Sequence, residues 1–265
     1  MTTLYDALLE TAMLCGVTKG GQTTAQHSTP ATNLIDTNRY EPDDYFNNGL
    51  LFIRSGTYAG STRRITDYVM TTGVITFAAT STAISIASGI YYTATNTIRD
   101  ELVQAINEAL LMMGEYTEVD ETLTVVDNAT EYTLPTGVSN VKRIEVYTVS
   151  TAPYGFNPLF TWRELGGKIY LPAEINRTAG NTIRIYYNKH HSHVNADADA
   201  INDLFNIKRL AWTATAMFLM NRMQYSGNSD EREMLLFQNA QMQVQRLASA
   251  FPVSKIERDP ILARY

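Results

Sequence analysis

Apolar positions recur at helical spacing in four stretches of the chain and at strand spacing between them. In Thr3 to Cys15, the residues Leu4, Leu8, Ala12 and Cys15 share a stripe, which predicts a short helix. Thr97 to Tyr116 repeats the pattern with Ile98, Leu102, Ile106 and Leu110, and Thr97 with Asp100 forms a box-like start. Asp203 to Tyr225 is apolar on several sides through Phe205, Leu210, Trp212, Met217 and Phe218, so it is expected to be buried from more than one direction. Asn202 is its candidate cap. Glu231 to Phe251 places Phe237, Ala240, Val244, Leu247 and Phe251 along one face, with Gln238, Gln241 and Gln245 on the other. The short link Ser226 to Ser229 makes the last two helices an antiparallel hairpin.

Two regions read as β. Within residues 33–95, Leu50 to Ile53, Arg63 to Tyr68, Val74 to Phe77 and Gly89 to Thr93 are short strands separated by glycine turns, which predicts a small all-β barrel module. At about residues 119–188, the stretches Leu123 to Val125, Tyr132 to Leu134, Val141 to Val149, Leu159 to Arg163, Lys168 to Leu171 and Thr182 to Tyr187 have strand composition. Gly166-Gly167 marks a hairpin there. The fold class is therefore α+β: a helical bundle with a β-sandwich-like insertion, preceded by the barrel. The expected organisation is a helix at 1–16, a linker at 17–32, the β module at 33–95, the bundle with its insertion at 96–251 and an extended arm at 252–265. Pro252 stops the last helix, because proline lacks a backbone N–H and crowds the preceding turn.

Charge narrows the partners. The formal net charge is -6, against a dedicated nucleic-acid binder, although a mildly acidic wall would let DNA pass without holding it. Cys15 is the sole cysteine, so no disulfide or cysteine-based zinc site forms within one chain. No run approaches the roughly 20 apolar residues of a membrane span, and the N-terminus, with Asp6 and Glu10, is a poor signal peptide.

Candidate chemistry is thin. Thr18 to Thr23 holds lysine and glycines in the wrong order for a phosphate loop and is expected to be linker. His190, His191 and His193, with Asp197 or Asp199, are the best metal candidates, but they sit where a strand runs into a polar loop and are expected to be solvated. Asp43-Asp44, Glu115 with Glu118 and Asp120-Glu121 lie at element ends rather than across a cleft. Arg54, Arg63 and Arg64 with Tyr58 and Tyr68 form a basic and aromatic patch, expected to pair with Asp67 or Asp44. The expectation is no catalytic residue, no metal and no cofactor. The 16 tyrosines, each a large ring with one polar handle, favour a protein that packs against other chains.

The run from Glu41 to Gly49, with Leu51 to Gly56, Ala59-Gly60, Arg63 to Asp67 and Gly73 to Phe77, resembles a β module of tailed-bacteriophage virion proteins. The helix Ile98 to Met113, the strands Tyr132 to Pro135, Val141 to Glu145 and Ile183 to Tyr187, and the terminal helix hairpin resemble phage head-to-tail adaptor (connector) proteins. That resemblance implies a non-enzymatic virion protein of the neck, made in the host cytoplasm. It implies a ring of about twelve copies beneath the portal protein, extending the DNA channel toward a tail or nozzle protein. The alternatives are another neck, tail or baseplate subunit, or a carbohydrate-binding tail-fibre component carried by the barrel. Subunit-interface candidates are Trp212, Met217, Phe218, Phe237, Val244 and Phe251. Candidates for an arm docking to the portal or a neighbour are Val253, Ile256, Arg258, Ile261, Leu262, Arg264 and Tyr265. The arm's fourteen residues could span about 48 Å when extended.

Overall fold

The computed structural model describes residues 2–26, 32–78, 86–148, 155–171, 179–226 and 230–253. The chain is α+β and divides into two compact units, Met1–Met113 with Ser192–Pro252, and Gly114–His191.

In the first unit, β1 (Thr2–Thr3) pairs with β15 (Ala200–Ile201) and leads into α1 (Leu4–Leu14). Thr3 caps α1: its hydroxyl accepts from the Asp6 N–H, while the Asp6 carboxylate accepts from the Thr3 N–H at 2.9 Å. Six strands follow: β2 (Thr18–Gln22), β3 (Asn33–Ile35), β4 (Leu50–Ile53), β5 (Ser61–Val69), β6 (Val74–Phe77) and β7 (Tyr91–Thr95). They form one antiparallel sheet in the order β2-β7-β4-β5-β6-β3. β5 serves both halves: it pairs with β4 through Ser61 to Arg64, shifts register between Ile65 and Asp67, and pairs with β6 beyond. The sheet curls until Ala25, just past β2, bridges to Ile35 of β3. Phe46, Leu51, Ile53, Ile65, Tyr68, Phe77 and Tyr92 fill its interior, each contributing about 1.5–3 kcal/mol by leaving water.

The stretch expected to be a linker thus contributes a strand. Gly21 in it is a packing residue: a Cβ there would lie 2.5 Å from Asp36 Oδ2 and 2.7 Å from both Arg39 Nη2 and the Tyr92 hydroxyl. Nor does the β module end a compact unit at residue 95. The Tyr5 hydroxyl of α1 donates to the Ile53 carbonyl at 2.8 Å. Asp197 accepts from the Thr62 N–H at 2.6 Å and from Arg99 at 2.9 Å. The curled sheet and the helices share these contacts.

The helices of this unit are α1, α2 (Arg99–Met112), α3 (Ile207–Ser226) and α4 (Glu231–Ala250). α2 stops earlier than expected, and Gly114 at φ 89° turns the chain into the next strand. Its N-cap is Ile98, with no side-chain cap bond, so the Thr97–Asp100 box does not form. α3 begins at Ile207 because Asn206, not Asn202, caps it: Asn206 Oδ1 accepts from the Lys208 and Arg209 N–H groups, both at 3.1 Å. Asn202 Oδ1 instead accepts from the Leu204 N–H at 2.9 Å. α3 packs against α1, α2 and α4 of its own chain, which is why it is apolar on several sides.

The second unit holds a four-stranded sheet, β11-β10-β14-β8, and a three-stranded sheet, β12-β13-β9. Their ranges are β8 (Tyr116–Thr124), β9 (Glu131–Thr133), β10 (Val141–Thr148), β11 (Gly155–Leu159), β12 (Arg163–Leu165), β13 (Lys168–Tyr170) and β14 (Thr182–Lys189). The single strand expected over Leu159 to Arg163 is divided between β11 and β12, whose partners lie in different sheets. Ile183, Ile185 and Tyr187 of β14 alternate inward and join Ile144, Tyr132, Trp162 and Ile169 in one core fed by both sheets. Gly166 and Gly167 at φ 60° and 74° make the β12–β13 turn that their side-chain-free backbones permit.

Candidate functional site

Two surfaces of the first unit stand out. One is the outer face of the α3–α4 hairpin. The pair is fastened at both ends: Arg222 Nε lies 3.1 Å from Glu233 Oε1, and Arg209 Nη1 donates to the Phe251 carbonyl at 2.8 Å. Asp230 caps α4 by accepting from the Arg232 N–H. Only Ala240 of α4 is fully buried. Phe237, Val244 and Leu247 are half-buried, while Met234, Leu235 (61% exposed) and Met242 (62% exposed) face outward. Leu235 and Met242 lie two turns apart on one stripe, separated by Gln238. This stripe did not stand out in the sequence, where the stronger Phe237–Val244 spacing marked the face turned toward α3.

The interface candidates therefore separate. Phe218, at 3% exposure, is core, covered by its own chain. Trp212, Met217, Phe237 and Val244 are half-buried, and Phe251 is 47% exposed at the end of α4. Of the arm candidates, Val253 is half-buried; Ile256, Arg258, Ile261, Leu262, Arg264 and Tyr265 lie outside the described residues.

The second surface is an open cleft of about 710 Å³ in the barrel, between β2 with the residues after it, the loop Asp36 to Glu41, and Ser88-Gly89. Its polar groups include a largely buried cluster in which one guanidinium faces two carboxylates. Arg39 Nε donates to the Tyr92 hydroxyl at 2.7 Å, Nη1 to Glu41 Oε1 at 3.2 Å and Nη2 to the Lys19 carbonyl at 3.0 Å. The Tyr92 hydroxyl donates in turn to Asp36 Oδ2 at 2.6 Å. Burial is the main reason the Tyr92 phenol is pushed far above its ordinary range. Above this cluster Tyr40 stands 85% exposed. Asp36, Arg39, Tyr40 and Tyr92 carried no signal in the sequence, because a loop and a strand some fifty residues apart bring them together.

Most of the other candidates have structural partners. His190 lies 4.0 Å from Glu115, and the His191 ring is 6.2 Å from that of Tyr116. Asp197 is held by Thr62 and Arg99, and Asp199 accepts from the Asn195 and Ala196 N–H groups, which hold its carboxyl below the usual range. Among the described residues no three His, Cys, Asp or Glu are placed to hold a metal ion. Asp43 accepts from the Met70 N–H, Asp44 from Asn47, and Asp120 from Thr122. Glu118 pairs with Lys189, and Glu121 with Arg184 at 2.5 Å. The basic patch does not pair as expected: Arg64 donates to Asn48 at 2.6 Å and Arg63 to the Thr62 carbonyl, rather than to Asp67 or Asp44. Cys15 is buried, and burial pushes its thiol up to about 12. Among the described residues no helix is long and apolar enough to cross a membrane. No family model and no curated protein matches the chain.

Proposed function

We propose that this chain is a structural virion protein of a tailed bacteriophage, a subunit of the neck ring that joins the portal to the tail and extends the DNA channel. In this reading the four helices are the ring-forming bundle, residues 114–191 are a β-sandwich-like insertion between α2 and α3, and the curled sheet is the small barrel module. The observation that carries it is the outward stripe of α4. Leu235 and Met242 are large, apolar and uncovered, on a helix that spends its other face on α3. Such a stripe gains most when a neighbouring copy covers it, and a closed ring repeats that contact without leaving an open end. The reading assigns no catalysis, metal or cofactor, and DNA passes without specific contacts.

Mixing the purified full-length chain with portal rings and imaging by negative stain tests the proposal. A second tier of density with the portal's symmetry is the expected result. A chain that stays monomeric beside intact portal rings and adds no density overturns it.

A further inference from the structure

The cleft in the barrel has features that subunit packing does not need. Among the described residues its one lining cation, Arg39, is already engaged by Asp36, Glu41, Tyr92 and the Lys19 carbonyl. Among the described residues an anionic ligand would therefore meet one guanidinium already engaged and two carboxylates. A cationic ligand would feel the net negative charge but would not reach the carboxylate oxygens. Asp36 is almost wholly buried beneath Arg39 and Tyr92. Glu41 gives one oxygen to Arg39, and its other is buried with no hydrogen-bond partner among the described residues. What the cleft offers is neutral polar chemistry. The Asn38 carboxamide and the Ser88 and Tyr40 hydroxyls make no hydrogen bond to the described protein. Gln22 spends its amide N–H on the Gly89 carbonyl and keeps its amide oxygen.

Tyr40 completes the arrangement. A tyrosine ring at 85% exposure beside a polar cleft is an apolar platform with nothing on it. Aromatic side chains bind well where one face of a partner is apolar and its rim is polar. A pyranose has that form: C–H groups across one face and hydroxyls around the edge. The cleft volume falls in the range of small-ligand sites, roughly 300–1,000 Å³. Gly21 contributes by having no side chain, because any Cβ there would displace the Asp36–Arg39–Tyr92 cluster.

We propose that this cleft binds a neutral saccharide, with the Tyr40 ring stacking on the C–H face of the sugar and Asn38, Gln22 and Ser88 reading its hydroxyls. The inference goes beyond the ring reading and does not rest on it, since it concerns the barrel and not α4.

The test is saturation-transfer NMR on the full-length chain with a panel of neutral oligosaccharides: maltotriose, cellotriose, chitotriose and mannotriose. The expected result is transfer to the ring C–H protons of at least one of them. Tyr40→Ala should weaken that binding about tenfold, Tyr40→Phe should retain it, and both variants should melt with the wild type. No transfer from any member of the panel overturns the proposal. So does transfer unchanged in Tyr40→Ala, which would place the sugar elsewhere. Tetramethylammonium and inorganic phosphate serve as competitors; displacement of the sugar by either shows a charge-seeking site and also overturns it. Ring assembly with the portal is scored separately, so either reading can fail alone.

Discussion

The Arg209 guanidinium, in the first turn of α3, donates to the carbonyl of Phe251, the residue that ends α4. It supplies a donor to a helix end whose carbonyls have no partner within their own helix. Arg209→Met should therefore loosen the end of α4 first. The expected cost is about 1 kcal/mol in denaturant unfolding, with faster amide exchange confined to the last turn of α4. Exchange that rises equally in α1 and α2 would show that the contact is not local.

Burial separates two kinds of apolar residue in the helix hairpin. Phe218→Asp puts an unpaired charge in the core, and the chain should fail to fold or lose more than about 3 kcal/mol. Leu235→Asp and Met242→Asp lie on the open stripe, so the melting temperature should stay within a few degrees of wild type while assembly with the portal is lost. Thermal melting together with native mass spectrometry distinguishes them. A Leu235→Asp, Met242→Asp double variant that still assembles would remove α4 from the ring contact.

Asp197 joins the barrel to the helices through Thr62, Arg99 and the N–H of Tyr5, which donates to the Asp197 carbonyl. Asp197→Ala should cost about 1–3 kcal/mol, because it strands the buried Thr62 N–H and hydroxyl and removes the Arg99 ion pair. Deletion of residues 33–95 should leave the helices unable to unfold cooperatively, since α1 loses the Ile53 carbonyl that its Tyr5 hydroxyl bonds. A sharp calorimetric transition in the deletion variant would show that the barrel is dispensable.

Alkali should weaken the first unit in a defined window. Burial is the main cause that pushes the Tyr5 phenol from its ordinary value near 10 up to about 12, and the Cys15 thiol from near 9 up to about 12. Both groups favour the protonated form in the folded chain. Their contribution is fully present below the unfolded values and is lost as pH rises through about 12. Melting temperature should hold to about pH 9 and fall from there to pH 12. Tyr5→Phe should make that fall shallower. Cys15 should resist alkylation at pH 8 in the native chain and react once it is denatured.

What could be read from the chain was whatever depends on near neighbours. The helical spacing of Leu4, Leu8 and Ala12 and the Gly166-Gly167 turn each act within a few residues, and the helix and hairpin they predict form. The apolar wrap of α3 was also legible, but its cause was not: spacing shows how many sides are covered and not whose side chains cover them. β2 was missed because Thr, Lys, Gly and Gln are linker composition. The reason for Gly21 there is the cluster of Asp36, Arg39 and Tyr92, distant in sequence, which fills the space a side chain would take. The cap of α3 shifted from Asn202 to Asn206 because both are good caps and only the backbone geometry selects one. The cleft draws on β2, the loop after β3 and the residues before β7, so no window of sequence contains it.

The seam where Ala25 meets Ile35 also bears on how the barrel moves. Elsewhere in this sheet the strands are joined by ladders of paired residues, whereas here, among the described residues, the backbone is joined at one bridge, supported by the Thr24 N–H to the Ile35 carbonyl. Farther along, the join passes to a side chain, Arg39 reaching the Lys19 carbonyl. A hoop closed by a clasp parts at the clasp before it tears along its length. Breathing of this barrel should therefore begin beside the cleft, widening the distance between Gln22 and Asn38 while the sheet behind stays paired, so that a guest could enter at the cost of a few hydrogen bonds instead of an unfolded domain.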